Sequence, residues 1–360
     1  MKGAVYHGPR DIRIEEVPEP VPGPGELLVE VARNGICGSD LHTYVGAAKG
    51  GAAMHVPGIV LGHEFSGIVR ALGDPTPGAV GAVGAPGPGA VTVGSAVAIA
   101  PIEWCGRCYA CTHSWPQMCR KLALYGGYRL PLHGGLAPFV VVSRRSAFLV
   151  PDGLGVAEAA LAEPMAVAVH AVRRAPATLG SAVLVLGAGP IGLGVLQAVI
   201  AAGATTTIVS EISEARRAAA RRLGASVVID PRTDEPHAAA RDLTGHGVDL
   251  VFETTANSTA LGQGIRALRP RGTLVSLAGW GELASVDMGL SMAKEIDVRF
   301  TMTYEPAVDY PATLAMLATG AFDPRVLISD HIPLDRLVED GLEELLHHAD
   351  RHVKILVDPR

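Results

Sequence analysis

Four of the five cysteines lie within fifteen residues, in the spacing Cys-x2-Cys-x2-Cys-x7-Cys: Cys105, Cys108, Cys111 and Cys119. Four thiolates at this density suit a tetrahedral zinc ion, and a coordination shell filled by protein leaves no position for a substrate. The spacing therefore predicts a structural zinc site, which would stabilise a short lobe with little apolar core. An iron–sulfur cluster, whose usual spacing ends in Cys-Pro, and four unliganded core thiols are the alternatives. His113, inside the lobe, is interpreted as solvated.

A second group of candidate ligands is dispersed along the chain. Cys37 lies in Gly-Ile-Cys-Gly-Ser-Asp-Leu-His, His63 in Gly-His-Glu, and Glu163 in Ala-Glu-Pro-Met. A thiolate, an imidazole and a carboxylate supply three ligands and leave a fourth position for water or substrate, as catalytic zinc requires. Each residue alone has an ordinary explanation: a buried cysteine, a histidine bonded to backbone, or a glutamate that begins a helix. Their combination makes a catalytic zinc site a hypothesis.

A glycine-rich motif follows an apolar run and begins an Ala/Leu/Val-rich segment; it reads Gly187-Ala188-Gly189-Pro190-Ile191-Gly192. Gly187 permits a tight turn, Gly189 lets the backbone approach a pyrophosphate, and Gly192 lets helix and strand pack closely. The N-terminus of the following helix faces the phosphates. An acidic residue, Glu211, comes nineteen residues after the last glycine. This context predicts a dinucleotide-binding site.

Charged residues after the second strand bear on the choice of cofactor. Glu211 can accept hydrogen bonds from both hydroxyls of the adenosine ribose, and its charge would repel a 2′-phosphate. The sequence therefore favours NAD over NADP. Arg216 and Arg217 follow closely; either could pair with a phosphate, and both could instead lie on an exposed helix face. Arg216 is kept as a candidate cofactor-binding residue.

Two differently built parts of the chain must position these groups. Strand-like runs alternate with helical segments between residues 155 and 303, at 182–186, 206–210, 226–229, 249–252, 273–277 and 298–302. Six such strands make a complete doubly wound parallel sheet. Residues 1–154 instead contain short Val-rich runs broken by Gly and Pro, which is typical of an antiparallel β domain. The tail, 304–360, ends in an apolar strand at 353–357 and is expected to return to that domain.

Composition excludes several classes of protein. The chain has 360 residues, 48% of them hydrophobic and 18% charged, and a net charge of −6. Disorder needs low hydrophobicity with high charge, and nucleic-acid binding needs a clustered basic face. Two long uncharged stretches, 75–102 and 175–210, are interrupted by Pro and Gly, so neither predicts a membrane-spanning helix. With no apolar signal segment, we expect a cytoplasmic protein that binds neither nucleic acid nor membrane.

The cysteine lobe, the dispersed ligand segments and the glycine-rich motif together resemble the zinc-dependent medium-chain alcohol/polyol dehydrogenases, especially the butanediol and sorbitol dehydrogenase branch. The resemblance extends from Met1 to Val357. It implies an α/β fold in which a GroES-like antiparallel β catalytic domain (1–154, completed by 304–360) is joined to a Rossmann dinucleotide-binding domain (155–303). The active site would lie in the cleft between them. The resemblance also implies one catalytic and one structural zinc ion, NAD as cofactor, and a homodimer or homotetramer.

The resemblance assigns roles to individual residues. Cys37 and His63 resemble the catalytic zinc ligands. The third ligand in this branch is a glutamate, and we favour Glu163. Glu64, adjoining the histidine, is the alternative ligand or lies just outside the coordination shell. Asp40 resembles the residue that orients the zinc-bound imidazole.

Ser39 and His42 resemble the proton relay of the family. The implied reaction is reversible hydride transfer from a small secondary alcohol to NAD. The alcohol would be a vicinal diol or a polyol, and the product would be the corresponding hydroxyketone or ketone. Thr303 stands where sorbitol dehydrogenases have an arginine before a tyrosine, which puts a long open-chain polyol in doubt. Residues Gly78–Gly94 resemble an insertion in a surface hairpin.

Two other functions stay open at this point. One is a biosynthetic dehydrogenase of a cyclic polyol, amino sugar or aminocyclitol. The other, from a different class, is a non-catalytic dinucleotide-binding sensor or structural subunit. A non-catalytic protein is expected to have lost a ligand or relay residue, whereas this chain has all of Cys37, Ser39, His42, His63 and Glu163.

Overall fold

The computed structural model describes residues 1–46, 57–74, 91–127 and 133–360. Most of the insertion expected at Gly78–Gly94 lies outside the described residues. The strands, in chain order, are β1 (Lys2–Gly8), β2 (Asp11–Glu16), β3 (Glu26–Gly35), β4 (Ile59–Val60), β5 (Glu64–Leu72), β6 (Ala96–Ile99), β7 (Ile102–Glu103), β8 (Ala123–Leu124), β9 (Phe139–Ser143), β10 (Ala147–Leu149), β11 (Ala182–Leu186), β12 (Thr206–Ser210), β13 (Val227–Ile229), β14 (Val248–Glu253), β15 (Leu268–Ser276), β16 (Asp297–Phe300), β17 (Ile328–Pro333) and β18 (Lys354–Asp358).

The helices are concentrated in the second half of the chain. They are α1 (Gly38–Tyr44), α2 (Tyr109–Thr112), α3 (Ala162–Arg174), α4 (Pro190–Ala201), α5 (Glu214–Arg222), α6 (Pro236–Thr244), α7 (Ser258–Ala267), α8 (Met288–Ala293), α9 (Pro306–Ala318), α10 (Pro324–Leu327) and α11 (Glu344–His348). Short 3-10 turns lie at Pro116–Met118, Arg144–Ser146, Glu158–Leu161, Leu334–Arg336 and Ala349–Arg351, and a π-helical segment lies at Leu337–Glu343.

Six parallel strands form one sheet in the order β13-β12-β11-β14-β15-β16. The strand order reverses between β11 and β14, as in a doubly wound fold. Alternate residues of β11 face opposite sides: Val183 and Val185 pack with residues of α3 and α4, whereas Leu184 and Leu186 pack with residues of α7. Both faces are therefore covered, and the predicted Rossmann-type sheet is confirmed.

The predicted strands of this sheet are all present, and most ends shift by two residues or fewer. β15 is the exception, because it begins at Leu268, where the sequence predicted a start at residue 273. Leu268 pairs with Val248 before the register shifts, so the strand contains an irregular first half. That half includes Pro270, a residue that discourages a strand assignment from sequence.

The second large sheet combines strands from both ends of the chain. Its order is β10-β6-β5-β3-β18-β17, and β9 also pairs with β3. At the end of β3, Gly35 pairs with Glu64 of β5 on one side and with Leu356 of β18 on the other. Three segments that are distant in sequence therefore meet at one place. The boundaries proposed for the two domains stay predictions.

Helix α3 joins the two sheets through a continuous apolar cluster. Its Met165 packs in the same cluster as Val183 of the parallel sheet and Ala98 of β6 in the second large sheet. From α9, the Tyr310 hydroxyl donates to the backbone oxygen of Ile99, at 2.5 Å. The first turn of α3, which carries Glu163, is therefore fixed at the junction of the sheets.

No helix among the described ranges is long and apolar enough to cross a membrane. The longest, α3 and α9, have 13 residues each, whereas a bilayer requires about 20. The uncharged stretch 175–210 contains β11, α4 and β12, so the predicted strand, turn, helix and strand are confirmed.

Candidate active site and metal centres

The four clustered cysteines lie on a lobe between β7 and β8, and their sulfur atoms all lie within 4.8 Å of one another. The Sγ–Sγ distances are 3.5 Å for Cys108–Cys111, 3.6 Å for Cys105–Cys119, 3.8 Å for Cys108–Cys119 and 4.0 Å for Cys105–Cys111. Four sulfurs placed ~2.3 Å from a zinc ion at tetrahedral angles are about 3.8 Å apart. The side chains therefore fit one zinc ion, and sulfurs this close leave little room for a multi-atom iron–sulfur cluster.

Backbone N–H groups stabilise the negative charge of these sulfurs. The N–H groups of Cys105 and Lys121 donate to the sulfur of Cys119, at 3.4 and 3.3 Å. Other backbone N–H groups lower the pKa of Cys108 to about 6, which favours the thiolate that zinc requires. His113 is exposed and is not part of the sulfur group. The lobe can hold a metal ion without it.

Cys37, His63 and Glu64 form a second group, in which one ligand atom from each residue lies within 4.8 Å of the others. Cys37 is the N-cap of α1. His63 immediately precedes β5, and Glu64 begins it. The pairing of Gly35 with Glu64 brings the two segments together. His63 is 7% exposed and Glu64 1% exposed, so a cation bound here would be largely shielded from water.

Two neighbours orient the imidazole of His63. Its Nδ1 lies 3.6 Å from Oδ1 of Asp40, and its Nε2 lies 3.3 Å from Oγ of Ser39. The other oxygen of Asp40 accepts the N–H of Cys37, at 2.9 Å. Burial lowers the pKa of His63, but the charges of Asp40 and Cys37 outweigh it and raise the pKa well above the usual value. The same charges would favour a metal cation in place of the proton.

Glu163 lies at the start of α3 and is 8% exposed. Burial raises its pKa to about 7, and the nearby charge of Glu64 acts in the same direction, whereas His63 opposes it. The Tyr304 side chain also interacts with this carboxylate. Glu163 is nevertheless not among the ligand atoms that lie within 4.8 Å of one another. Glu163 is close enough for its charge to act on His63, and the choice between the two glutamates stays a prediction.

Lys354 is a further charged residue of the site, and the sequence reasoning missed it. Its Nζ lies 2.8 and 2.7 Å from the two carboxylate oxygens of Glu64, and the side chain is only 4% exposed. The available signal was a lysine inside the apolar run 353–357, where a charged residue is rarely buried without a partner.

Helix α1 carries the two predicted relay residues. Ser39 is half-buried beside His63, whereas His42, one turn later, is exposed. The adjacent Tyr44 is buried, and its hydroxyl donates to Glu343 of the π-helical segment, at 2.5 Å. Tyr44 therefore supports the packing of α1 against the tail.

A cavity of about 590 Å³ lies at the carboxyl ends of β11, β12 and β14, where Gly187, Gly189, Glu211 and Arg216 contribute to its wall. The switch point of a doubly wound sheet is the usual place for a nucleotide. Thr255 and other residues of the segment after β14 complete the wall. The sequence reasoning did not single out that segment.

The glycines of the motif have the geometry that a dinucleotide requires. Gly187 has φ +91°, a conformation that favours glycine. A Cβ on Gly192 would lie 2.1 Å from the backbone oxygen of Gly187, whereas a Cβ on Gly189 would meet only Arg216, at 4.0 Å. The backbone of Gly189 therefore faces open space at the start of α4, followed by Pro190 and Ile191. A phosphate group can approach here.

Glu211 follows β12 and borders the cavity. Its two carboxylate oxygens accept the N–H groups of Ala188, at 2.6 Å, and Ser213, at 2.8 Å. A carboxylate has about four acceptor positions, so two of them stay available to ribose hydroxyls. The same contacts fix Glu211 against the glycine-rich turn.

The two arginines of α5 differ in position. Arg216 borders the cavity, and its guanidinium donates to the backbone oxygens of His352, at 3.0 Å, and Ala349. Arg217 is buried and pairs with Asp230, at 3.0 Å. Neither lies on an exposed helix face, and only Arg216 is placed to contact a cofactor.

Two family models match the chain. The model described as alcohol dehydrogenase GroES-like domain matches residues 23–152, and that described as zinc-binding dehydrogenase matches residues 190–319. The first covers the four-cysteine lobe and the segments of Cys37 and His63. The second begins at α4, so the two matches lie on the parts of the chain for which the sequence predicts a catalytic and a nucleotide-binding function.

Individual proteins match over the full length. Sorbitol dehydrogenase of Bacillus subtilis (strain 168) is 31% identical over 360 residues, which cover 100% of this chain and 97% of the relative. The structure of 2R,3R-butanediol dehydrogenase from Bacillus subtilis is 34% identical and superposes with a TM-score of 0.86, covering 100% and 99% of the two chains. The structure of a zinc-binding dehydrogenase from Sinorhizobium meliloti 1021, bound to NADP, is 30% identical, with a TM-score of 0.87 and 99% of each chain covered.

Replacing Cys108 with serine should remove one metal ion per chain and lower the melting temperature by roughly 5–10 °C, because the lobe loses its cross-link. Metal analysis and differential scanning calorimetry measure both effects. His113→Ala, in the same lobe but outside the sulfur group, is the matched control and should retain the metal. An unchanged metal content in Cys108→Ser would contradict a zinc site in the lobe.

Proposed function

Because the chain belongs to the zinc-dependent medium-chain alcohol/polyol dehydrogenase family, we propose that it catalyses reversible hydride transfer between a secondary alcohol and NAD in the cleft beside Cys37 and His63. The carrying observation is the convergence of a cysteine sulfur, an imidazole and the carboxylate of Glu64, whose ligand atoms lie within 4.8 Å of one another. A non-catalytic sensor or structural subunit is not favoured, since full-length relatives are named dehydrogenases and every expected ligand and relay residue is present.

Zinc bound to Cys37 and His63 would supply Lewis acidity, which lowers the pKa of an alcohol hydroxyl at the open position. The contribution of the chain is orientation and exclusion of water. Asp40 accepts the N–H of Cys37, at 2.9 Å, and its other oxygen lies 3.6 Å from Nδ1 of His63, so its charge acts on two candidate ligands. Burial of the ligands strengthens every charge interaction within the site.

Ser39 and His42 are placed to move the alcohol proton. The Ser39 hydroxyl borders the candidate ligands, 3.3 Å from Nε2 of His63, where it can accept a proton from a bound alcohol. His42 is exposed at the outer end of the same helix. The helix α1 therefore extends from the buried candidate ligands to the solvent-exposed His42.

NAD would act as the hydride acceptor in the cavity beside the glycine-rich turn. Family membership alone does not choose between the cofactors, since the Sinorhizobium relative binds NADP. The buried carboxylate of Glu211 supports NAD, because it offers acceptors to ribose hydroxyls and would repel a 2′-phosphate. Arg216 borders the same cavity and donates to two backbone oxygens of the tail, which leaves it donors for a cofactor.

We infer a vicinal diol or its hydroxyketone as the substrate class. Relatives that match the whole chain include a butanediol dehydrogenase and a sorbitol dehydrogenase. Thr303 and Tyr304 are consecutive, and each has a buried hydroxyl without a hydrogen-bond partner among the described residues. A neutral hydroxyl suits the second hydroxyl of a small diol. The relatives give no support to a cyclic polyol, amino sugar or aminocyclitol.

A second copy of the chain would cover the open edge of the parallel sheet. β16 is the last strand in its sheet order, and it exposes Val298 and Phe300, 45% and 69% accessible. The nearby Met302 and Met292 are 45% and 78% accessible. An unpaired edge with an apolar surface is a ready interface. Two copies can pair these edges about a twofold axis, giving a homodimer.

Replacing Cys37 with serine should remove the catalytic metal and lower kcat/KM for 2,3-butanediol by at least about 100-fold, because Lewis-acid stabilisation is lost. NADH binding, followed by its fluorescence, should persist, since Cys37 lies outside the nucleotide cavity. Cys108→Ser is the matched control, because it removes the same atom from the other centre. Unchanged diol oxidation in Cys37→Ser would refute the catalytic assignment.

Replacing Glu211 with alanine should raise the ratio of kcat/KM with NADP to kcat/KM with NAD by about tenfold or more, because the repulsion of a 2′-phosphate is removed. A tenfold change corresponds to ~1.4 kcal/mol. Steady-state kinetics with both cofactors measure the ratio. Glu214→Ala, an exposed acidic residue of α5, serves as the control. A ratio that does not move in Glu211→Ala would count against the role of this carboxylate.

The double substitution Val298→Lys/Phe300→Lys should convert the homodimer to a monomer of 37.3 kDa, because like charges would face each other across the twofold axis. Light scattering coupled to size-exclusion chromatography measures the mass. Val21→Lys, at an apolar position that is 86% exposed, should leave the mass of the dimer unchanged. A dimer that survives the double substitution would place the interface elsewhere.

A further inference from the structure

Asp309 is a fully buried carboxylate in the first turn of α9. Its Oδ2 accepts hydrogen bonds from Nδ1 of His170, at 2.8 Å, and from the backbone N–H of Glu305, at 2.7 Å. Its Oδ1 accepts a hydrogen bond from the guanidinium of Arg173. Burial raises the pKa of Asp309, but these donors outweigh burial and lower the pKa below its ordinary value. The group is therefore ionised, and an ionised carboxylate can only accept hydrogen bonds.

The contact between Asp309 and His170 is one of two places where α3 meets the segment 304–309. His170 follows Glu163 by seven residues, which is about two helical turns and therefore the same face of α3. At the other end of the segment, Tyr304 is close enough to Glu163 for that charge to act on it. Burial raises the pKa of the Tyr304 hydroxyl, and the charge of Glu163 acts in the same direction. One face of α3 thus contacts both ends of the segment.

The turn that joins β16 to α9 needs such an attachment. Thr303 has φ +44°, a left-handed conformation that a β-branched residue keeps only where its surroundings impose it. Glu305, two residues later, donates its backbone N–H to Asp309. The ring of Tyr304, between them, lies 5.3 Å from that of Tyr310. The carboxylate of Asp309 therefore holds this turn from within the first turn of α9.

Tyr304 is the side chain that the turn brings to the site. It is fully buried, and its hydroxyl has no hydrogen-bond partner in the ranges that the structure describes. A buried hydroxyl without a partner is costly, and such groups are normally satisfied by protein, water or a ligand. Glu163, whose charge acts on Tyr304, also acts on His63. The open hydroxyl of Tyr304 therefore borders the place proposed for the alcohol.

We propose that Asp309 is a positioning residue that keeps the Tyr304 hydroxyl beside Glu163, where it binds the alcohol. The attachment of Asp309 to α3 through His170 and Arg173 is what fixes the turn after β16. This inference rests on the proposed function, because it requires an alcohol in the cleft. Asp309 then acts on the alcohol only through Tyr304, whereas a purely structural residue would act independently of that hydroxyl.

Substitution of Asp309 by asparagine tests the proposal, because it keeps the shape of the side chain and replaces one acceptor oxygen with a donor. KM for 2,3-butanediol should rise at least about fivefold while kcat changes less than about twofold, since a contact made equally in the ground and transition states affects KM alone. Thr313→Val is the matched control: it removes a hydrogen bond to the backbone oxygen of Asp309, at 2.7 Å, leaves the carboxylate in place and should keep the native KM. A native KM in Asp309→Asn would overturn the proposal.

A double-mutant cycle with Tyr304→Phe separates positioning from a general loss of structure. If Asp309 acts through the Tyr304 hydroxyl, Asp309→Asn should raise KM less than about twofold once that hydroxyl is absent. Independent sites give effects that multiply instead. Multiplied effects on KM in the double variant would show that Asp309 does not act through Tyr304, and the proposal would fail.

If Asp309→Asn does not fold, two substitutions of His170 decide the question. Asparagine can place an N–H donor near the position of Nδ1, whereas leucine offers no donor. His170→Leu should raise KM for 2,3-butanediol at least about threefold, and His170→Asn should stay within about twofold of the native value. Equal KM values for the two variants would contradict the proposal. Failure of the proposed function itself has a different signature, because the native protein, loaded with zinc, would then form no NADH from any diol.

Discussion

The candidate active site depends on the hydrogen-bond register of β3. Gly35, at the end of that strand, pairs with Glu64 on one side and Leu356 on the other. A shift of either partner by one residue would turn its side chains to the opposite face of the sheet. Glu64 could then no longer meet Lys354, and His63 would move away from Cys37. Pairing between three distant segments is therefore the constraint from which the rest of the site follows.

Burial of charge is the second constraint, and the two buried glutamates differ in whether a positively charged side chain compensates them. Glu64 is nearly inaccessible but has a lysine on both of its oxygens, which offsets the cost of its desolvation. Glu163 forms no ion pair with Lys or Arg among the described residues, and burial raises its pKa to about 7. Its charge therefore lacks a partner, and a divalent cation would stabilise it more than it would stabilise Glu64. Only Glu64, however, has an oxygen within 4.8 Å of the candidate ligand atoms of Cys37 and His63, so the identity of the third ligand stays a prediction.

The parts predicted from sequence are those whose signals are local. The glycine-rich motif lies within six residues and the cysteines within fifteen, so their geometry is largely determined by nearby backbone. The strands of the parallel sheet are continuous apolar runs, and their ends could be predicted to within two residues except at β15. The buried partner of Glu64, Lys354, could not be predicted. That residue is 290 positions from Glu64, and no spacing rule connects them.

The two candidate metal centres differ in what must fold before they exist. The sulfur atoms of the lobe are supplied by one short segment, so closing the loops between them costs little entropy. The second group needs β3, β5 and β18 in place, since Cys37 follows β3, Glu64 begins β5 and Lys354 begins β18. Any state in which β18 is detached leaves Glu64 without Lys354 and the adjacent ligands open to water. The arrangement of Cys37, His63 and Glu64 with the counter-ion of Glu64 can therefore form only when the tail is docked against β3.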